Sequence, residues 1–500
     1  MKPVFYITTP IYYVNDVPHI GHAYTNIASD FVARFKRLDG YDVFFLTGTD
    51  EHGQKIERAA QNRQLSPNEF VDQVSGHFTD LTDLLLLSNN DFIRTTEERH
   101  KKAARYLWER LVAKGHIYKG KYSGWYSVRD ETYFEERELV DGKAPTGAAV
   151  EWLEEESYFF NLSHWQERLL AFYRANPEFV LPNSRFNEII KFVERGLEDL
   201  SISRSTFKWG IEVPGDEQHV MYVWFDALTN YLSAVGYPGD VSRYWPADIH
   251  MVGKDISRFH AIYWPAILMA ADLEVPKQIV AHGWWTVNGE KMSKSLGNSI
   301  SPKTLIEEFG IDQTRYFLIR EIAFGNDGNF SRSSMINRIN AELANNIGNL
   351  IQRTLSMVFK NCAGRIPDVD KTLLYGQPLL SKAVRTLDIA RDALSIGQYH
   401  NVLEAIIDLA NNANLYIDEM APWSLAKTNV AQMELVLTSL VEVIRYIGIL
   451  MQIITPLAAK KILDALSITN RDFAALNSDH MIQAYTVIEK PEIIFPRFEA

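Results

Sequence analysis

One cysteine, Cys362, stands among 500 residues, so the chain forms no intrachain disulfide and no thiolate-built zinc cluster, and it suits a reducing compartment. Basic charge is not in excess. Its 51 Lys and Arg against 63 Asp and Glu leave a net charge of −12, so any nucleic-acid surface has to be a local basic patch on an acidic body. Long apolar runs are missing too: the most apolar stretch, 446–459, is broken by Gln452 and Pro456 and is too short to span a bilayer. Met1-Lys2-Pro3 leads directly into a strand-like "VFYITT" with no secretory signal, and no repeat, low-complexity tract or Gly/Ser linker follows. These absences point to a cytoplasmic protein with no membrane contact.

What is present reads as a folded body. With 46% hydrophobic and 23% charged residues the chain suits a globular protein, and its length suits about two to four domains. The opening has a β-α-β pattern. "VFYITT" is a buried-strand candidate, Ala23, Ile27, Phe31, Val32 and Phe35 form a helical stripe that ends before Gly40, and "YDVFFL" is a second strand that stops at "TGTDEHG". Parallel strands of this kind open their following loops into one crevice at the carboxyl edge. Between about Gly115 and Pro214 the pattern turns irregular and aromatic, as an insertion does, and from about Ile336 onward it is nearly all helical in period. The expected fold is α/β, with a parallel Rossmann-like sheet, an inserted domain and an appended all-α bundle.

Two short stretches carry chemistry. "PHIGH" puts His19, Gly21 and His22 at a strand-to-helix junction, where backbone N–H groups favour an anion and a glycine lets a base or phosphate approach. Alone, the same residues fit a histidine-rich cap or a metal pair at i, i+3. "NGEKMSKSLGN" holds Lys291, Ser293, Lys294 and Ser295 in a glycine-flanked loop, which fits either a solvated surface or a polyphosphate whose charge shifts during reaction. Farther on, Trp224, Ala227, Leu228 and Tyr231 fall at i, i+3, i+4, i+7, and Ile256 and His260 at i, i+4, so each set occupies one helical face. Plain core explains such a stripe as well.

Together, "HIGH" and "KMSKS" resemble the signatures of the class I aminoacyl-tRNA synthetases, and "TPIYYVND", "TGTDEHG", "YVWFDALTNY", "GKDISRFHAIYWP" and "APWSLAK" are similar to the methionyl members of that class from about residue 4 to the helical end. The resemblance implies activation of L-methionine by ATP with Mg²⁺, followed by transfer to the 3′-terminal adenosine of tRNA(Met). It implies that His19, His22, Lys291 and Lys294 are catalytic, contacting the phosphates and neutralising the leaving pyrophosphate, and that Gly21, Gly253, Asp255 and Ser293 help to bind ATP. The methionine site would comprise Ile11, Tyr13, Asp50, Trp224, Ala227, Leu228, Tyr231, Ile256 and His260, with Asp50 on the ammonium and His260 and Tyr13 ordering a water or hydrogen bond near the sulfur. A sulfur beside aromatic rings gains ~0.3–1.5 kcal/mol, which suits that lining. Asn349, Arg353 and Trp423 match positions that read the anticodon; their plain alternatives are an interhelical polar contact and a buried indole.

The same resemblance divides the chain into a catalytic domain in two halves, 1–114 and 221–285, a connective insertion, 115–220, a KMSKS and stem-contact region, 286–340, and an anticodon-binding bundle, 341–500. The chain departs from many relatives at the zinc knuckle: Ser127, Asp130, Ala144 and Gly147 stand where the ligands would be, so no structural zinc is expected. It ends at "EIIFPRFEA" soon after the bundle, without the further domain through which some relatives dimerise, so a monomer is expected. Another class I synthetase, or a catalytically silent tRNA-binding paralogue, is the alternative function.

Overall fold

A twisted parallel sheet organises the first half of the molecule. Its strands are β1 (Val4–Thr8), β2 (Tyr12–Tyr13), β3 (Asp42–Asp50), β4 (Asp91–Arg94), β5 (Val180–Leu181), β6 (Ile249–Gly253) and β7 (Gln278–His282). β3 lies between β4 and β1, then β6, β7 and β5 follow, every pairing parallel, and β2 pairs with the carboxyl end of β3. Helices cover both faces, so β1 and β7 are buried along nearly their whole length rather than alternating. The computed structural model describes the chain apart from Met1, Asn15, Asp16, Glu131, Glu135, Asn288, Gly289, 292–299, Pro491 and Ala500, and apart from the side chains of Tyr122, Arg137, Glu154, Glu155, Glu290 and Lys291. Among the described residues, no helix is long and apolar enough to cross a membrane.

Helix α1 (Ile20–Leu38) connects β1 to β3 and buries Ile27, Phe31 and Phe35 completely. Helices α2 (Glu98–Ala113) and α3 (Val223–Ser233) pack on each other. The aromatic middle of the chain forms one antiparallel sheet from strands Ile117–Ser127, Thr132–Phe134, Glu151–Phe160 and Leu200–Ser201, and a second from Ser203–Arg204, Glu212–Val213 and Asp216–Met221. The stretch 115–220 does more than add a separate layer. Val180 and Leu181 within it pair with Ile279 and Val280, so it also supplies the edge strand of the central sheet.

At the tip of the insertion, the positions of the absent zinc ligands bond to one another. Ser127 Oγ lies 2.9 Å from Asp130 Oδ2, Thr146 Oγ1 donates to the same oxygen at 2.5 Å, and Gly147 N–H donates to Ala144 O at 2.7 Å.

The helical stretch "ARDALSIGQYHNVLEAIIDLANNANLYIDEM" is two helices, Pro378–Ser395 and Tyr399–Met420, that turn at Gly397 with φ +71°. They pack with Val430–Met451, which is buried from Val436 to Met451. The bundle is joined to the body by Arg315, on helix α4 (Ile311–Arg320), which has no exposed side-chain surface. Its guanidinium donates to Asp30 Oδ2 of α1 at 2.6 Å, to Leu85 O at 2.9 Å and to Ile454 O at 2.9 Å. Burial alone would raise the Asp30 carboxyl pKa; Arg315 and Arg34 outweigh it and hold it below the usual carboxylate range.

Candidate active site

The two histidines of "HIGH" cap the helix they precede. His19 occupies the N-cap of α1 and its Nδ1 accepts from Gly21 N–H at 3.0 Å, while His22 Nδ1 accepts from His19 N–H at 3.0 Å. Both rings therefore carry their neutral-state proton on Nε2. The rings lie 3.9 Å apart at the positive end of a long helix. A Cβ on Gly21 would sit 2.7 Å from His19 Cε1, so glycine is required here by the cap itself as well as by any incoming phosphate.

This capped start reaches the second motif. Ile20 N–H donates to Ile300 O at 3.0 Å, and Ile300 directly follows residues 292–299, which lie outside the described residues. The other end of that stretch is a hairpin of β8 (Trp285–Val287) and β9 (Glu290–Lys291), in which Lys291 pairs with Thr286, and β8 also pairs with β10 (Gly328–Phe330). Of the predicted loop residues, Lys291 is described through its backbone, and Ser293 and Lys294 lie outside the described residues. α1 is further tied to this edge by Thr25 Oγ1, 2.8 Å from Nε2 of His282 at the end of β7.

β6 delivers Gly253 and Asp255 to the same edge. A Cβ on Gly253 would lie 2.6 Å from Asp255 Oδ1, so the glycine makes room for the carboxylate. Asp255 is exposed, and its Oδ1 accepts from the Trp284 indole N–H at 3.0 Å. Lys254 lies 4.2 Å above the Trp284 ring and pairs with Asp327 at 2.5 Å. Trp284 thus connects the Asp255 turn to the root of the lysine hairpin.

The predicted amino-acid pocket converges. Tyr13 and Asp50 are register partners of β2 and β3, and Asp50 is buried at the sheet edge. Leu228 and Tyr231 belong to one buried cluster on which Ile11, Tyr13, Trp224 and Ile256 pack, and Ala227 is buried on the same helix α3. The indole of Trp224 stacks on Phe259 with centroids 3.8 Å apart and planes at 7°.

The helical face expected for Ile256 and His260 takes a different form. A 3-10 turn, Lys254–Ile256, is followed by a π-helical turn, Phe259–Tyr263, and His260 Nδ1 donates to Ile256 O at 3.0 Å. His260 Nε2 accepts from Tyr231 Oη at 2.7 Å. Both imidazole nitrogens are therefore bonded within the protein, and the ring and the Tyr231 hydroxyl form one hydrogen-bonded pair. Burial pushes the His260 pKa down to about 4, which keeps it neutral at physiological pH.

Phe259, Trp284, His52 and Asp226 are absent from the sequence prediction. Phe259 had a signal, its place beside His260 in one aromatic run. Asp226 and His52 lie inside the quoted motifs, but a helical stripe drawn through Trp224 passes Asp226 by.

The remaining predicted residues stand apart, on the bundle. Asn349 opens helix Asn349–Asn361 and is exposed; Arg353, one turn on, pairs with Asp418 at 2.6 Å, and its guanidinium lies 5.9 Å from the ring centre of Trp423, which is 46% exposed. The indole is on the surface and not a core residue.

A helix whose two histidines cap each other, bonded to the far end of a lysine-rich segment at the carboxyl edge of a parallel sheet, defines the class I aminoacyl-tRNA synthetases as the class of protein. The comparisons narrow it. Residues 5–151 and 144–355 match the family described as tRNA synthetases class I (M), and 370–499 match the anticodon binding domain of methionyl tRNA ligase. The methionine–tRNA ligase of Rickettsia felis is 56% identical over all of this chain and 99% of its own, and that of Mesorhizobium japonicum is 50% identical over 99% and 98%. Methionyl-tRNA synthetase of Mycobacterium tuberculosis in complex with methionyl-adenylate superposes with a TM-score of 0.95, at 47% identity over 99% of this chain and 100% of that one; its free form superposes at 0.88. The chain belongs to the methionyl-tRNA synthetase family.

Proposed function

We propose that this chain is a methionine–tRNA ligase that activates L-methionine with MgATP and transfers it to the 3′-terminal adenosine of tRNA(Met). In the first step the methionine carboxylate attacks the α-phosphorus, an O–P bond forms, and the bond to the leaving pyrophosphate breaks. No side-chain nucleophile is needed, so the residues act by positioning and by stabilising charge. Nε2–H of His19 and of His22 donate to the phosphates, and Lys291 and Lys294 neutralise the charge that gathers on pyrophosphate. Mg²⁺ enters on the nucleotide's phosphates as part of the substrate. Gly21 and Ser293 border the phosphates, and Gly253 and Asp255 hold the ribose.

Asp50 pairs with the methionine ammonium. The side chain lies along Ile11, Tyr13, Trp224, Ala227, Leu228 and Ile256, and its sulfur meets the Tyr231–His260 pair. In the second step the adenosine hydroxyl attacks the adenylate carbonyl and AMP leaves. Asn349, Arg353 and Trp423 read the anticodon, the amide and guanidinium by hydrogen bonds to base edges and the indole by stacking. We propose also that the enzyme works as a cytoplasmic monomer without structural zinc.

The observation that carries this proposal is the Ile20–Ile300 bond, which puts the root of the lysine segment against the histidine-capped helix start. ATP–pyrophosphate exchange with a panel of amino acids tests it. Methionine should drive exchange; leucine or cysteine active with methionine inert would assign another class I synthetase, and no exchange with any amino acid would leave a silent paralogue.

A further inference from the structure

Beneath the pocket helix lies a buried carboxylate held by two imidazoles. Asp226 is on α3 two residues after Trp224, and so faces away from it around the helix. Its Oδ2 accepts from His52 Nδ1 at 2.6 Å and its Oδ1 from His100 Nε2 of α2 at 2.6 Å. The side chains of Asp226, His52 and His100 are at most 5% exposed. A carboxylate this deep needs its oxygens bonded, because an unpaired charge is strongly disfavoured away from water.

The position of His52 in the chain gives this cluster a use. It follows Asp50 by two residues, and the residue between them, Glu51, is fixed on the other side: Glu51 is fully buried and accepts from Thr49 Oγ1 at 2.8 Å, Arg94 Nε at 2.7 Å and Thr96 Oγ1 at 2.5 Å. Trp209 clasps the same turn, its indole N–H donating to Glu51 O at 2.6 Å. The turn that carries Asp50 is therefore anchored to β4 through Glu51 and to α3 through His52. α3 carries the apolar pocket.

We infer that the His52–Asp226 bond is a positioning joint that fixes the distance between the ammonium site at Asp50 and the thioether pocket on α3, and so selects the length of the amino acid. The inference rests on the proposed methionine site. His100, donating from the opposite side, holds Asp226 in the rotamer that meets His52, and its Nδ1 is fixed in turn by Ser233 Oγ at 2.9 Å. Neither histidine touches the substrate.

The test measures pyrophosphate exchange by the full chain with methionine, S-methylcysteine and ethionine, the last two being one carbon shorter and longer. His52→Ala should raise the methionine KM at least tenfold, leave the ATP KM within twofold, and cut the preference for methionine over both analogues at least fivefold. His52→Asn, whose amide N–H can replace Nδ1–H, should return the methionine KM to within about threefold of wild type. If thermal melting shows that His52→Ala does not fold, Asp226→Asn is read in the same assay. An unchanged methionine KM, a parallel rise in both KM values, unaltered discrimination, or no recovery in His52→Asn overturns the joint. Wild-type protein that exchanges none of the three amino acids overturns the methionine assignment and the joint with it; wild-type exchange with an unaffected His52→Ala overturns the joint alone.

Discussion

Ile20 and Ile300 share a backbone hydrogen bond of 3.0 Å, the N–H at the first turn of α1 donating to the carbonyl of a residue five positions after the "KMSKS" motif. The insertion and five strands of the central sheet, β3 to β7, separate the two in sequence, so the contact is a product of the whole fold. One end of the lysine stretch is thereby bound to the histidine-capped helix, and the other, at Lys291, is paired to β8.

Lys294→Ala tests the chemical use of that arrangement. With the proposed role on the leaving pyrophosphate, the exchange rate should fall on the order of 10²–10³ while the methionine KM changes little, since the loss is confined to charge that develops in the transition state. Stopped-flow or steady-state exchange measures both quantities; a normal rate would remove the lysine from the mechanism.

Trp423→Ala separates the two ends of the molecule. The indole is 46% exposed beside Arg353 on the bundle, outside the candidate active site, so exchange should keep its wild-type rate while the KM for tRNA rises, by about 1–3 kcal/mol of lost base stacking. Charging assays and exchange assays run on one preparation decide it, and a parallel fall in both would mark the residue as structural.

Arg315→Ala should be the more damaging change to stability. It leaves Asp30 charged, fully buried and short of its main partner, and removing one member of such a pair costs about 3–5 kcal/mol. Because the same guanidinium bonds to Ile454 O, the loss should also loosen the bundle from the body. Differential scanning calorimetry should show a lower first transition, and the bundle's transition should separate from that of the body.

Acid should weaken the fold through Asp226. Burial raises its pKa, but His52 and His100 outweigh burial and hold it at about 2, below the value of an unfolded aspartate. A depressed folded pKa adds stability above the unfolded value, near 3.9, and that stability is lost as pH falls toward 2; the contribution is roughly 2 kcal/mol. Thermal midpoints measured from pH 6 to pH 3 should drop more steeply in wild type than in Asp226→Asn.

The parallel sheet was legible in the sequence because buried parallel strands are continuous apolar runs, and the bundle because its helices keep a clean period from Pro378 to Ala465. Val180–Leu181 was not, since a two-residue edge strand has no period to read. Within the candidate site, the residues that face the pocket lie on short quoted motifs and converge as those motifs suggest. The supporting groups were hidden for a physical reason. Asp226, His100 and Trp284 act by holding other residues, and which polar side chains meet across α2, α3 and the hairpin is decided by tertiary packing. Ile256 and His260 are linked through a 3-10 turn and a π-helical turn, a local winding that their i, i+4 spacing does not reveal.

A crystal structure of the protein with methionine and a non-hydrolysable MgATP analogue tests most directly whether the histidines and lysines hold one triphosphate. The triphosphate should lie between Nε2 of His19 and His22 on one side and Lys291 and Lys294 on the other, with the methionine ammonium on Asp50. A triphosphate that touches the histidines while both lysines point to solvent, or one bound away from the carboxyl edge of the sheet, would contradict it.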